Sequence, residues 1–191
     1  PAGGPSKWHK SHQAGRDVDV LFYTKDLEGK SLPPPEHDMI LFGSEGKPIL
    51  PEQYTAGYAD AQWEQRRFDA RKNWHFIEAL LRDPTIRIQW IFISRPLKSL
   101  VLAEARRRER PQWLVEYAEQ VMQQPGDSLP HDDHMHVRLY CSRTDRFHGC
   151  NDQGVVWQHE KKTFKYGGPE RYDPIVRRSL AVLPTVALGP G

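Results

Sequence analysis

Between His134 and Tyr140 apolar and polar residues alternate strictly, with Met135, Val137 and Leu139 on one face and His134, His136, Arg138 and Tyr140 on the other. That is the period of a half-buried strand. The stretch DVDVLFY at 17–23 has the same period, placing Asp17, Asp19 and Leu21 on one face and Val18, Val20 and Phe22 on the other. A third strand is predicted at 86–93, IRIQWIFI, whose β-branched and nearly continuous apolar character fits a central strand buried on both faces. Helical spacing of Trp63, Phe68, Trp74, Ile77, Leu80 and Leu81 predicts one helix over 58–82, stopped by Asp83-Pro84. Pro96 opens a second over 97–108, and Pro111 begins a third that runs to about Gln123 and closes at Pro125-Gly126.

The remaining segments lack such periods. Residues 24–57 are rich in Pro, Gly and charge and read as a long loop walling one side of a cleft, with one short strand at 39–42. Residues 1–16 read as a loop that orders where it meets a site. A hairpin or edge strand is expected at 155–166 and a short helix at 172–183. Sheet strands from three distant stretches, interleaved with helices, predict an α+β fold: a central, mostly antiparallel sheet flanked by helices. We read 1–191 as a single domain with residues 151–191 as a C-terminal extension.

Composition narrows the function classes. The chain has 191 residues, 38% hydrophobic and 27% charged, which suits one ordinary core. A net charge of +2 does not point to nucleic acid, and the cluster Arg106, Arg107, Arg108 and Arg110 is interrupted by Glu109 and preceded by Glu104. No apolar run approaches the roughly 20 residues of a membrane span. Cys141 and Cys150 are spaced unlike the CxxC pairs of zinc knuckles or redox sites. They suit either a short disulfide loop, which implies an oxidising compartment, or two reduced thiols.

The candidate chemistry lies in LPHDDHMHVRLYC, where His131, His134 and His136 fall within six residues. Neither solubility nor packing calls for three imidazoles there. Side chains two apart on a strand stand roughly 7 Å from each other, so one imidazole can bind a metal while another reaches over its open side. His12 lies seven residues before Asp19, with Gly15 between them to let the chain turn into the strand. With HxH this gives two histidines and one carboxylate, which suits zinc with a fourth position left for water. His9, three residues before His12, enters the same neighbourhood. Two other motifs fail: HExxH lacks its second histidine at Thr163, and the SxxK at Ser44 to Lys47 is broken by Gly46 and Pro48.

SHQAGRDVDV followed by HDDHMHVRLYC resembles the penicillin-insensitive murein endopeptidases, within the lysostaphin, D-Ala-D-Ala metallopeptidase and hedgehog superfamily. The resemblance implies one zinc ion per chain, held by His12, Asp19 and His136. It makes His134 catalytic with His131 beside it, while His9, Asp17 and Asp133 would contact substrate or orient the ligands. The implied activity is hydrolysis of peptide crosslinks in peptidoglycan, at the bond from D-Ala to a diamino acid, in the periplasm or outside the cell after removal of a signal peptide. A D-Ala-D-Ala carboxypeptidase, an L,D-endopeptidase and a non-hydrolytic zinc-containing module that binds wall peptides are the competing readings. Oligomeric state is left open.

Overall fold

The structure, a computed structural model, describes residues 15–35, 39–49, 61–152, 154–157 and 160. His9, His12, the first residues of the helix expected at 58–82, most of the hairpin expected at 155–166 and all of the helix expected at 172–183 lie outside them. The chain divides into two compact units, Pro1–Gln153 and Gly154–Gly191. In chain order the elements are β1 (Asp17–Leu21), β2 (Thr24–Lys25), β3 (Ser31–Leu32), α1 (Ala61–Gln65), β4 (Arg67–Phe68), α2 (Ala70–Arg82), β5 (Ile88–Phe92), α3 (Arg95–Arg107), α4 (Gln112–Val121), β6 (Met122–Gln123), β7 (His134–Leu139) and α5 (Arg143–Phe147). All belong to the first unit, and the class is α+β, as the sequence predicts.

The main sheet has the strand order β1-β7-β5-β6. β7 runs antiparallel to both β1 and β5, while β6 is parallel to β5. Met135, Val137, Ile88 and Ile91 are buried, and α4 packs against β5 while α2, α3 and α4 pack on one another. These helices carry apolar stripes, Trp74, Ile77 and Leu81 on α2, Leu97, Val101 and Ala105 on α3, and Leu114, Ala118 and Val121 on α4. β6 is a strand the sequence pattern hides, because its two residues continue directly from α4.

The helix expected over 58–82 is broken at 66–69. Phe68 leaves the helical path to pack edge-on against Phe22 and Phe42, with ring centroids 5.1 and 6.0 Å away. Its N–H donates to Gly46 O, and the buried Arg66 guanidinium donates to Thr24 Oγ1 and Pro33 O at 3.0 and 2.7 Å. These tertiary partners outweigh the local helical period. β4 then completes a small second sheet, β3-β2-β4, so part of the expected loop 24–57 is a paired hairpin. The strand expected at 39–42 reduces to one bridge, Phe42 to Pro48. Gly46 closes that turn with φ 68°, and a Cβ there would come within 3.2 Å of Phe68 Cβ.

A disulfide joins Cys141 to Cys150, with Cα atoms 6.0 Å apart. Its loop contains α5, opened by a capping box between Ser142 and Asp145. Asp152 accepts from the Cys141 N–H at 2.6 Å and from Arg16 at 3.4 Å, and it pairs with Arg146. Arg16 Nη1 also donates to Leu139 O at 2.8 Å. The end of β7 is thereby tied to the residue that precedes β1.

Asn73 joins α2 to the segment that leaves β1. Fully buried, it accepts from the Tyr23 N–H at 3.1 Å and donates to Tyr23 O and Asp69 O, both at 2.9 Å. We expect N73A to destabilise the protein by about 1–3 kcal/mol, because it strands a backbone donor; the midpoint of chemical denaturation measures this. At the end of α3, Arg107, and after it Arg108, hold the Glu104 carboxyl at about 2. A carboxyl depressed on folding contributes stability above its unfolded value of about 4.3, and that contribution is lost as pH falls through the folded value. E104Q should therefore lower the unfolding free energy slightly at pH 7, by no more than about 1 kcal/mol, read as a small drop in Tm. The gap from wild type should close as pH falls from 5 toward 2, and a gap that is constant with pH would contradict the ion-pair account.

Candidate metal centre

Cross-strand register lays the site out in rows on one face of the main sheet. Asp17, Arg138 and Trp90 stand side by side, then Asp19, His136 and Phe92, then Leu21 and His134. β1 supplies carboxylates, β7 imidazoles and β5 aromatic rings. The expectation that β5 is buried on both faces needs correction here: Trp90 and Phe92 are only half-buried where they join the histidine face. The Phe92 centroid lies 5.3 Å from the His136 ring and 5.6 Å from the His131 ring, so an apolar surface backs the imidazoles.

His131 reaches this face from the loop before β7. Its N–H donates to Gln124 Oε1 at 2.8 Å, and its carbonyl accepts from the Ser94 N–H at 2.7 Å. The next carbonyl, of Asp132, accepts from the Phe42 N–H at 2.8 Å. Held by three separate elements, the His131 ring lies 5.3 Å from His134 and 5.9 Å from His136, centroid to centroid. One donor atom from each of His131, His134 and His136 falls within 4.8 Å of the others, a grouping that could hold a metal ion. The buried Nδ1 of His131 has no hydrogen-bond partner among the described residues. Such a nitrogen costs about 1–3 kcal/mol unless a ligand, ion or water meets it.

Asp19 extends the donor set. Its Oδ1 is 3.0 Å from His136 Nδ1 and 3.6 Å from His134 Nε2. The other nitrogen of His136, Nε2, is 2.8 Å from Asp17 Oδ1, and because a carboxylate only accepts, that nitrogen carries a proton. A neutral His136 then turns its lone pair toward Asp19, an arrangement that needs a cation or a second proton between them. Bonds of about 2.0 Å in a tetrahedron put zinc donors roughly 3.3 Å apart. Asp19 Oδ1 stands at about that spacing from His136 Nδ1 and from His134 Nε2, so the residues present fit a metal ion.

Charge on this face is arranged unevenly. Burial, with the neighbouring His134 and His136, pushes His131 down to about 4. Burial also pulls His134 down, but the hydrogen bond and charge of Asp133, with Asp19 and Asp132, outweigh it and leave His134 above its ordinary value. His134 Nδ1 lies 2.5 Å from Asp133 Oδ1. Burial raises Asp17 and Asp133, yet hydrogen bonds from His136 and Arg138 to the first, and from His134 to the second, hold both below the usual carboxylate range. The two neighbouring imidazoles are thus shifted in opposite directions.

Of the residues singled out in the sequence, Asp17, Asp19, His131, Asp133, His134 and His136 converge, whereas His9 and His12 fall outside the described residues. Sequence reasoning gave no role to Arg138, Phe92 or Gln124. Arg138 was visible in principle, being two residues beyond His136 on the same strand face; Phe92 and Gln124 depend on strand pairing and loop closure that no local pattern reveals. No helix among the described residues is long and apolar enough to cross a membrane. No curated protein and no solved structure matches the chain. The model of a family described as penicillin-insensitive murein endopeptidase matches residues 1–163. That span takes in most of the chain and every strand of the histidine and aspartate face, and the chain therefore belongs to the penicillin-insensitive murein endopeptidases, metallopeptidases that hydrolyse peptidoglycan.

Proposed function

We propose that the protein is a zinc-dependent endopeptidase that cleaves the D-Ala to diamino acid crosslink of peptidoglycan in the periplasm or outside the cell. The observation that supports it most is the facing of Asp19 Oδ1 and His136 Nδ1 across 3.0 Å, beside the imidazoles of His131 and His134. Asp19 and His136 would be ligands, and His12, carried on the segment before β1, the third. The disulfide fits an oxidising compartment.

When bound, zinc polarises the scissile carbonyl and acidifies the attacking water. The chain supplies the rest. Asp133 accepts from His134 Nδ1 and so leaves the Nε2 lone pair on the Asp19 side, where His134 takes the water's proton and passes it to the departing amine. His131, with its backbone pinned and its Nδ1 buried, stabilises the oxyanion. His9, three residues before His12 in the chain, would contact the substrate. Phe92 and Trp90, stacked at 5.8 Å, exclude water from one flank. No covalent acyl-enzyme is involved, so a β-lactam that acts by acylating a nucleophilic serine should not inhibit it.

Mass spectrometry of crosslinked muropeptide dimers tests the activity. Conversion to monomers should survive penicillin, stop with a chelator and return with added zinc, and the fragment masses identify the bond. Loss of a terminal D-Ala without dimer cleavage would show a carboxypeptidase instead. The roles separate in variants whose zinc content is measured after dialysis. H136A should lose zinc and cleavage together, whereas H134A should keep about stoichiometric zinc and lose roughly 10²- to 10⁴-fold in kcat. Loss of zinc from both H131A and H134A, with retention in H12A, would move the metal onto the three clustered imidazoles.

A further inference from the structure

Arg138 stands directly opposite Asp17 in the β1–β7 register. Its Nε donates to Asp17 Oδ1 at 2.6 Å, and the same oxygen lies 2.8 Å from His136 Nε2. The Asp17 side chain is 0% exposed. On its other side, the Arg138 guanidinium carbon is 5.4 Å from the Phe92 centroid, within cation–π range. Phe92 in turn contacts the His136 ring. Arginine, carboxylate, imidazole and phenyl ring thus form a closed circuit, each member fixed by two others. A buried carboxylate without a partner is costly, and Arg138 meets one of its oxygens, Oδ1, through Nε while its guanidinium lies on an aromatic ring.

We infer that Asp17 and Arg138 are positioning residues for the metal centre: Arg138 pins the Asp17 carboxylate, which captures the His136 Nε2–H and so presents Nδ1 to the ion beside Asp19. The inference rests on the reading of His136 as a ligand. It adds the element that orients the ligand, and it assigns a function to an arginine that makes no contact with the metal. A lysine in its place keeps the charge but lacks the planar Nε that meets Asp17 from within the sheet face.

Two measurements on the whole chain test it. In the metal-free wild type, ¹⁵N NMR of the histidine rings should show His136 protonated at Nε2, and the D17N spectrum should show a mixture of tautomers. Zinc affinity, read by competition with a chromophoric chelator, should fall about 10- to 100-fold in D17N. R138M should lose affinity in the same direction and R138K should recover only part of it. Because Arg138 acts through Asp17, D17N/R138M should bind no more weakly than D17N alone. A wild-type His136 protonated at Nδ1, a D17N variant with unchanged affinity, or additive losses in the double variant would each overturn the inference. H136A tells the two failures apart. If H136A loses zinc while D17N keeps it, only the positioning role is wrong; if H136A binds zinc as tightly as wild type, the ligand reading falls and this inference falls with it. The wild-type tautomer requires no variant to fold.

Discussion

The antiparallel register of β1 on β7 is the constraint on which the centre depends. It sets Asp19 beside His136 and Asp17 beside Arg138. A slip of one residue would send the whole acidic set of β1 to the opposite face, because side chains alternate with a period of two. The register is pinned at one end by Arg16, which bonds Leu139 O and Asp152, and at the other by Tyr23, which bonds Asn73. Neither anchor belongs to the strand ladder itself. The disulfide loop and the helix layer therefore both act on the site through one strand pair.

The histidines are held with different stiffness. His134 and His136 sit on the second strand of a four-stranded sheet, with neighbours on both sides. His131 sits on a loop, yet its backbone is bonded by Gln124, and with the following residue by Ser94 and Phe42. Three segments distant in sequence thus fix a residue that no regular element carries. Precision of this kind would serve the role proposed for His131, since misplacement by about 1 Å can cost on the order of 100-fold in rate.

Much of this was legible in the chain. The alternation in HMHVRL and DVDV gave both strands and the side on which their polar residues lie, and three close histidines marked the candidate site. What stayed hidden was decided by partners far away in sequence. Phe68 continues the helical spacing of Trp63 and Trp74, but a slot between Phe22 and Phe42 draws it out of the helix. Trp90 and Phe92 look like core in a run of apolar residues, and only their pairing opposite Arg138 and His136 puts them at the site. α5 did carry a local signal, Ser142 with Asp145 three residues on, the pattern of a capping box. Its five residues are too few for a hydrophobic period to accompany it.

β1 is an edge strand whose partner in the sheet is β7, and Asp17 and Arg138 are separated by 121 positions in the chain. Closing so long a loop carries an entropic cost that is recovered only when the distant strands meet, which makes such pairings slow to form. No fragment short of nearly the whole first unit contains both halves of the centre. A chain that ends before β7 carries Asp17 and Asp19 but lacks His134 and His136. Competence to cut the wall is thus a property of the folded unit as a whole, present only where β1 and β7 are paired.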